Sequence, residues 1–231
     1  ERLSNLQPFE YFSVGETGFG TGLNILALWQ LWQQVRPNNH SHLHAISVEK
    51  FPLSKTDLIR ALNVWPDLKP IANQLIAQYP HPIAGCHRLS FPEERFSLDL
   101  WLGDAHDVFP SMAKTSSVKA WFLDGFAPAC NPDIWEEQVL NHIVRLSGIG
   151  TTFSSFSVAG VLKRGLTQHG ISISRPRGYK HKREMLKAIW LPAEPENTSD
   201  AVDTQSVLNQ NQPDQVLHAF KQRQIAIIGA G

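Results

Sequence analysis

A short stretch near the amino end, V-G-E-T-G-F-G-T-G-L at residues 14–23, constrains the chain more than any other. Gly18, Gly20 and Gly22 stand between residues 11–15, an apolar run that reads as a short buried strand, and residues 22–35, which carry a helical period with Leu23, Leu26, Ala27 and Leu31 on one face. Glycine at a strand-to-helix turn permits positive φ and lets the backbone approach a ligand closely. The G-x-G-x-G spacing, with Glu16 ahead of it, departs from the G-x-G-x-x-G of dinucleotide folds. The turn also lacks the lysine of a P-loop.

The rest of the chain continues the alternation. Strands are expected at residues 44–48, 96–102, 120–123, 151–156, 171–174 and 185–191, and helices at 53–65, 68–79, 132–146 and 158–169. Strands that alternate with helices imply a doubly wound α/β fold with a mostly parallel sheet. Of the 231 residues 42% are hydrophobic, enough for one sizeable core, and the 18% charged fraction is low for a disordered chain. After Pro192 the pattern stops. Residues 193–223 read as a polar linker, and 224–231 (Q-I-A-I-I-G-A-G) turn apolar and end in G-x-G. The expected organisation is therefore one domain over 1–192, the linker, and the opening of a second nucleotide-binding domain, with Glu1 and Gly231 as the bounds of a fragment.

Cys86 and Cys130 form no C-x-x-C, which fits neither a disulfide framework nor a structural zinc and points to a reducing, cytoplasmic setting. No apolar run approaches the about 18 residues that span a bilayer. Formal net charge is zero, so only a local patch can name a partner. His40, His42 and His44 alternate, but no acid or cysteine lies beside them in sequence, and no metal is expected.

Acidic residues mark the strand ends. Glu49 ends the second strand, 27 residues past Gly22, where a ribose-binding carboxylate sits in Rossmann-like folds. Asp104, in L-G-D-A, follows the third strand and suits either an adenine amino group or a helix N-cap. Asp124, in W-F-L-D-G-F-A-P, follows the fourth, at the edge where ligands of open α/β sheets bind. Together with Glu16 these acids suit a cationic ligand without phosphates, and S-adenosylmethionine (SAM), with its sulfonium and amino group, is such a ligand. Between residues 163 and 187 there are eight Lys/Arg against one acid, Glu184. In a neutral chain such a segment suits RNA: Arg177, Lys180, Lys182 and Arg183 could neutralise phosphates, and Tyr179 could stack on a base.

Six motifs then carry a resemblance: G-E-T-G-F-G-T-G-L-N (15–24), S-V-E-K-F-P-L (47–53), G-C-H-R-L (85–89), W-F-L-D-G-F-A-P (121–128), N-P-D-I-W (131–135) and K-R-E-M-L (182–186). Over residues 9–190 the chain resembles the MnmC family of bifunctional tRNA 5-methylaminomethyl-2-thiouridine biosynthesis proteins. The resemblance implies a Rossmann-like class I SAM-dependent methyltransferase domain that methylates the aminomethyl group on C5 of the wobble uridine, in the anticodon stem-loop of tRNA. It also implies a C-terminal FAD-dependent oxidoreductase domain that first removes a carboxymethyl group, and to which I-A-I-I-G-A-G would belong. The implied cofactor set is Glu16, Gly18, Phe19, Gly20, Gly22, Glu49, Lys50 and Asp104. Asp124 is the catalytic candidate, orienting the attacking amine, and Phe126 joins Arg177, Tyr179, Lys180, Lys182 and Arg183 on the substrate side. The chain departs from the family pattern at Cys130, where lysine is usual, at S-G-I-G-T (147–151), which replaces a P-G-G-T turn, and in lacking several dozen residues ahead of Tyr11.

Other functions compete: a SAM enzyme with a protein or small-molecule substrate, an NAD- or FAD-binding oxidoreductase built on the first glycine turn, and a non-catalytic RNA-binding module. The basic segment disfavours the first, the glycine spacing the second, and the strand-end acids the third.

Overall fold

The computed structural model describes residues 1–114, 117–123, 136–156, 160–177 and 185–192. They form an eight-stranded sheet in the order β3-β4-β2-β1-β5-β6-β8-β7. In chain order the elements are β1 (Tyr11–Glu16), α1 (Leu23–Val35), β2 (His42–Glu49), α2 (Lys55–Leu62), α3 (Lys69–Gln78), β3 (Gly85–Phe91), β4 (Phe96–Leu102), α4 (Ala105–Ser111), β5 (Ala120–Phe122), α5 (Glu137–Leu146), β6 (Thr152–Ser155), α6 (Gly160–Gln168), β7 (Ser172–Ser174) and β8 (Leu186–Ile189). Strands β4, β2, β1, β5 and β6 are parallel, so their carboxyl ends share one edge. The outer strands β3 and β8 run antiparallel to their neighbours, and β7 pairs antiparallel with β8.

The chain winds outward from β1 through β2 to β4, then crosses back to β5 on the other side of β1. Open α/β sheets bind ligands at such a reversal, outside the carboxyl ends of the strands. Helices cover both faces. One core packs Trp29 and Trp32 of α1, Leu58 of α2 and Leu75 of α3 onto Leu43, Phe96 and Leu98 of the sheet. The other packs Phe109 of α4, Ile143 of α5 and Leu162 of α6 onto Trp121, Phe153 and Leu186. Among the described residues no helix is long and apolar enough to cross a membrane.

Three details differ from the sequence expectation. On α1 the fully buried positions are Ile25, Leu26, Leu28, Trp29 and Trp32, whereas Leu23 and Leu31 are only partly buried. The helix lies against α3 as well as the sheet, and its large indole rings occupy the deepest positions. Strand β3 escaped notice because it is a sheet edge: only Leu89 and Phe91 of its side chains are buried. Helix α4 was missed because Pro110 lies inside it.

The strand face beside β3 carries a polar relay. Ser97 Oγ lies 2.9 Å from both His42 Nε2 and His44 Nδ1, and His44 Nε2 lies 3.4 Å from Asp99. Two 2.6 Å hydrogen bonds from Arg88 complete it. Burial works against the Asp99 charge, but Arg88 and His44 outweigh it and hold the carboxyl down at about 2. Because the folded value lies below the ordinary 3.8, the stabilisation is present above about pH 4 and is lost as pH falls toward 2. Arg88→Ala should therefore move the acid unfolding midpoint, followed by circular dichroism, to higher pH. An unchanged midpoint would show that the exposed Arg88 is screened into irrelevance.

Candidate active site

Every described residue of the expected cofactor set lies at the shared carboxyl edge or in the turn that leaves it. The register sets Glu16, the last residue of β1, beside Ser47 of β2 and Phe122 of β5. Glu16 is 1% exposed and accepts a 2.5 Å hydrogen bond from the Ser47 hydroxyl. The glycine turn is then stitched to both neighbouring strands: Thr17 N donates to Phe122 O at 3.2 Å and Phe19 N to Val48 O at 3.1 Å.

Gly20 and Gly22 both have positive φ, +53° and +73°. They differ in surroundings. A Cβ at Gly22 would sit 2.7 Å from the Phe19 ring, whereas one at Gly20 would point into open space. Position 22 thus needs glycine for the fold itself, and Gly20 leaves a cradle against which a ligand can lie. Left-handed backbone costs a residue with a Cβ about 1–2 kcal/mol. Gly22→Ala adds the ring collision and should lower the melting temperature by several degrees, at about 2–4 °C per kcal/mol for a chain of this size. Gly20→Ala should lower it less, since it meets only the backbone cost. Equal losses in a thermal melt would mean that the Phe19 contact does not matter.

Glu49 locks the turn from the end of β2. Its Oε2 accepts from Gly20 N and its Oε1 from Phe51 N, each at 2.7 Å. A carboxylate has about four lone-pair sites, so two acceptor positions remain for the hydroxyls of a ligand. Lys50 Nζ reaches Asp104 Oδ2 at 2.6 Å, and Asp104 Oδ1 caps α4 by accepting from His106 N at 2.9 Å. The Lys50 hydrogen bond, ahead of all other causes, lowers the Asp104 pKa. Asp104 therefore serves as a helix cap and stands, charged, beside the ligand edge. Phe19 is 3% exposed and stacked 6.1 Å from Tyr79, so its side chain supports the turn from inside. Gly18 is half-buried in the same turn.

Two residues of this edge were not picked out from sequence. Ser47 lies two positions before Glu49, on the same strand, and that period of two is the signal that could have found it. Tyr79 follows α3, donates its hydroxyl to Leu53 O at 3.1 Å, and is pushed up to about 12, first by burial and then by the Glu49 charge. Nothing local in the sequence connects it to Glu49.

Asp124 and Phe126 lie outside the described residues, as do Tyr179, Lys180, Lys182 and Arg183. The elements that lead to them are described. Leu123 N donates to Ser154 O at 2.8 Å, so the chain leaves β5 at the carboxyl edge, beside the turn. Arg175 and the exposed Arg177 follow β7, which two antiparallel steps make parallel to β6. They too leave at that edge. Met185 N donates to Pro176 O at 3.0 Å and closes the neck of the basic segment there. The arrangement is a ledge of carboxylates and open glycine backbone at the reversal point, flanked by arginines at the far end of the sheet.

The profile of a family described as S-adenosyl-L-methionine-dependent methyltransferase matches residues 66–190, more than half of the chain. Two similar proteins bear the name tRNA 5-methylaminomethyl-2-thiouridine biosynthesis bifunctional protein MnmC. The one from Acinetobacter baylyi is 70% identical over all 231 residues, and the one from Psychrobacter cryohalolentis 46% over 81% of the chain. The chain spans only about a third of the length of these relatives, 35% and 29%. Among solved structures, MnmC2 from Aquifex aeolicus superposes with a TM-score of 0.65 at 21% identity, over 83% of this chain and 56% of that one, a likeness of fold. The chain belongs to the S-adenosyl-L-methionine-dependent methyltransferases.

Proposed function

We propose that this chain methylates the aminomethyl nitrogen on C5 of the wobble uridine of tRNA, as one half of a bifunctional modifying enzyme. The observation that carries the reading is that the glycine turn locked by Glu49 and the arginines that follow β7, at the end of the sheet, lie along the same carboxyl edge. The names of the relatives support the substrate, and the basic exit suits the anticodon stem-loop. Residues 224–231, outside the described residues, are read as the opening of the FAD-binding domain that the bifunctional names imply. A tRNA substrate places the reaction in the cytoplasm.

The residues present fit SAM. Open space above Gly20 accommodates it, Glu49 offers two acceptor positions to its ribose hydroxyls, and Glu16, at the end of β1, is the acid that suits its cationic groups. When bound, SAM supplies an electrophilic methyl group. The turn and Glu49 would hold the ribose, and the Lys50–Asp104 pair would border the adenine. Asp124 would accept a hydrogen bond from an N–H of the neutral substrate amine and so orient its lone pair for transfer. Phe126, Arg177, Tyr179, Lys180, Lys182 and Arg183 hold the nucleotide and its phosphates.

The test is incubation of the 231-residue chain with SAM and tRNA carrying 5-aminomethyl-2-thiouridine, followed by nucleoside mass spectrometry. The expected product gains one methyl group, and tRNA carrying the carboxymethylaminomethyl form stays unchanged. SAM binding without any methylation of the aminomethyl substrate would defeat the substrate assignment and leave the family membership standing.

A further inference from the structure

Helix α6 has a face that the cofactor edge does not use. Its inner side is apolar: Leu162 and Leu166 are fully buried, and Gly165 lies so close to α5 that a Cβ would sit 2.6 Å from Leu140. Its outer side carries two pairs at i, i+4 spacing, Lys163 with Thr167 and Arg164 with Gln168, neighbours on successive turns. These four side chains line an open depression of about 340 Å³. Their aliphatic stems form most of its surface, each ends in a hydrogen-bond donor, as ammonium, guanidinium, hydroxyl or amide, and among the described residues no carboxylate lines the space. Residues 160–177 contain no acid at all.

The topology gives this face a direction. Helix α6 descends from the carboxyl edge after β6, packs against α5 and β7, and leads into β7, which returns to that edge and delivers Arg175 and Arg177. One basic flank therefore runs from the cofactor edge down the outer side of α6. A phosphate diester, with oxygens for several donors and one charge per nucleotide, suits an exposed, acid-free face that continues a basic strip.

We infer that Lys163, Arg164, Thr167 and Gln168 hold a backbone phosphate of the bound tRNA, away from the nucleotide that is methylated. The inference rests on the tRNA reading above and adds a second anchoring point to it. The contact positions the RNA and carries no base specificity.

The test compares wild type with Lys163→Gln/Arg164→Gln in tRNA titrations between about 50 and 200 mM salt. Loss of that one phosphate contact should flatten the log–log salt slope by about 0.7–0.9 and weaken binding at low salt severalfold. SAM affinity, measured by calorimetry, should stay within twofold. Arg164→Glu alone, at an exposed position that the fold tolerates, should weaken tRNA binding more than Arg164→Gln. Unchanged slopes and affinities in both variants, with wild type binding tRNA, would overturn the inference and spare the tRNA reading. Wild type that binds SAM but no tRNA would remove both. Displacement of tRNA by polyglutamate at equal charge, lost equally in the variants, would also overturn it and make the face a site for an acidic protein.

Discussion

Asp124→Asn should lower single-turnover methylation of aminomethyluridine tRNA on the order of a hundredfold or more, the scale of orientation and proton-acceptance effects. The residue follows β5 by two positions, and β5 ends level with Glu16 across the reversal point of the sheet. The substitution keeps the size and one acceptor oxygen but removes the charge that draws a proton-bearing amine into place. An alkylammonium such as that of lysine loses its proton near pH 10, so at neutral pH the nucleophile has to be held in its minor, neutral form. The defect should accordingly shrink as pH rises, because more of the amine is already neutral. SAM affinity should change little if Glu49 and the glycine turn carry it, as proposed. The measurement is the single-turnover rate of both proteins across pH, with SAM affinity determined in parallel. A rate close to wild type would demote Asp124 to a turn residue, and a matching collapse of SAM binding would make it a cofactor ligand.

Glu49→Ala should raise the dissociation constant for SAM roughly 30- to 100-fold, equivalent to about 2–3 kcal/mol. Two effects add. The hydrogen bonds proposed from the carboxylate to the ribose hydroxyls would be lost, and charge-assisted bonds of that kind contribute about 1.5–3 kcal/mol. Gly20 N and Phe51 N also lose their acceptor, so the turn no longer arrives already shaped for its ligand. Glu49→Gln keeps one acceptor oxygen and should fall between wild type and alanine. Calorimetry on the three proteins settles the order. If Glu49→Ala bound SAM as wild type does, the side chain would be a brace for the turn and nothing more.

Much of the fold was legible in the sequence because its elements are local. The glycine turn, the strand before it and the helix after it need only short-range rules: positive φ demands glycine, and a period of two gives way to one of 3.6. The parallel strands are apolar runs bounded by turn residues, which is why β1, β2, β4, β5 and β6 were found within a few residues of their observed ends. The strand-end acids were visible for the same reason: a carboxylate just past an apolar run has to leave the core. Edge elements were harder. Strand β3 has a mostly exposed, polar side-chain row, and its pairing partner lies on the other side of a turn, so hydrophobic periodicity carries little signal there.

Local patterns along the chain thus carry its class, most of its strands and helices in order, and the short list of acids and cations able to do chemistry. Which of these come together depends on the folded arrangement. Strand register sets Glu16 beside Ser47, residues 31 positions apart, and the return of α3 brings Tyr79 into the field of Glu49. Glu49 itself turns out to close its hydrogen bonds on Gly20, 29 positions away. The physical reason is that a hydrogen bond or a charge interaction depends on a few ångströms of space. Two antiparallel steps of β8 and β7 bring the arginines to the cofactor edge, and that separation is fixed by sheet pairing, which no local pattern of residues encodes.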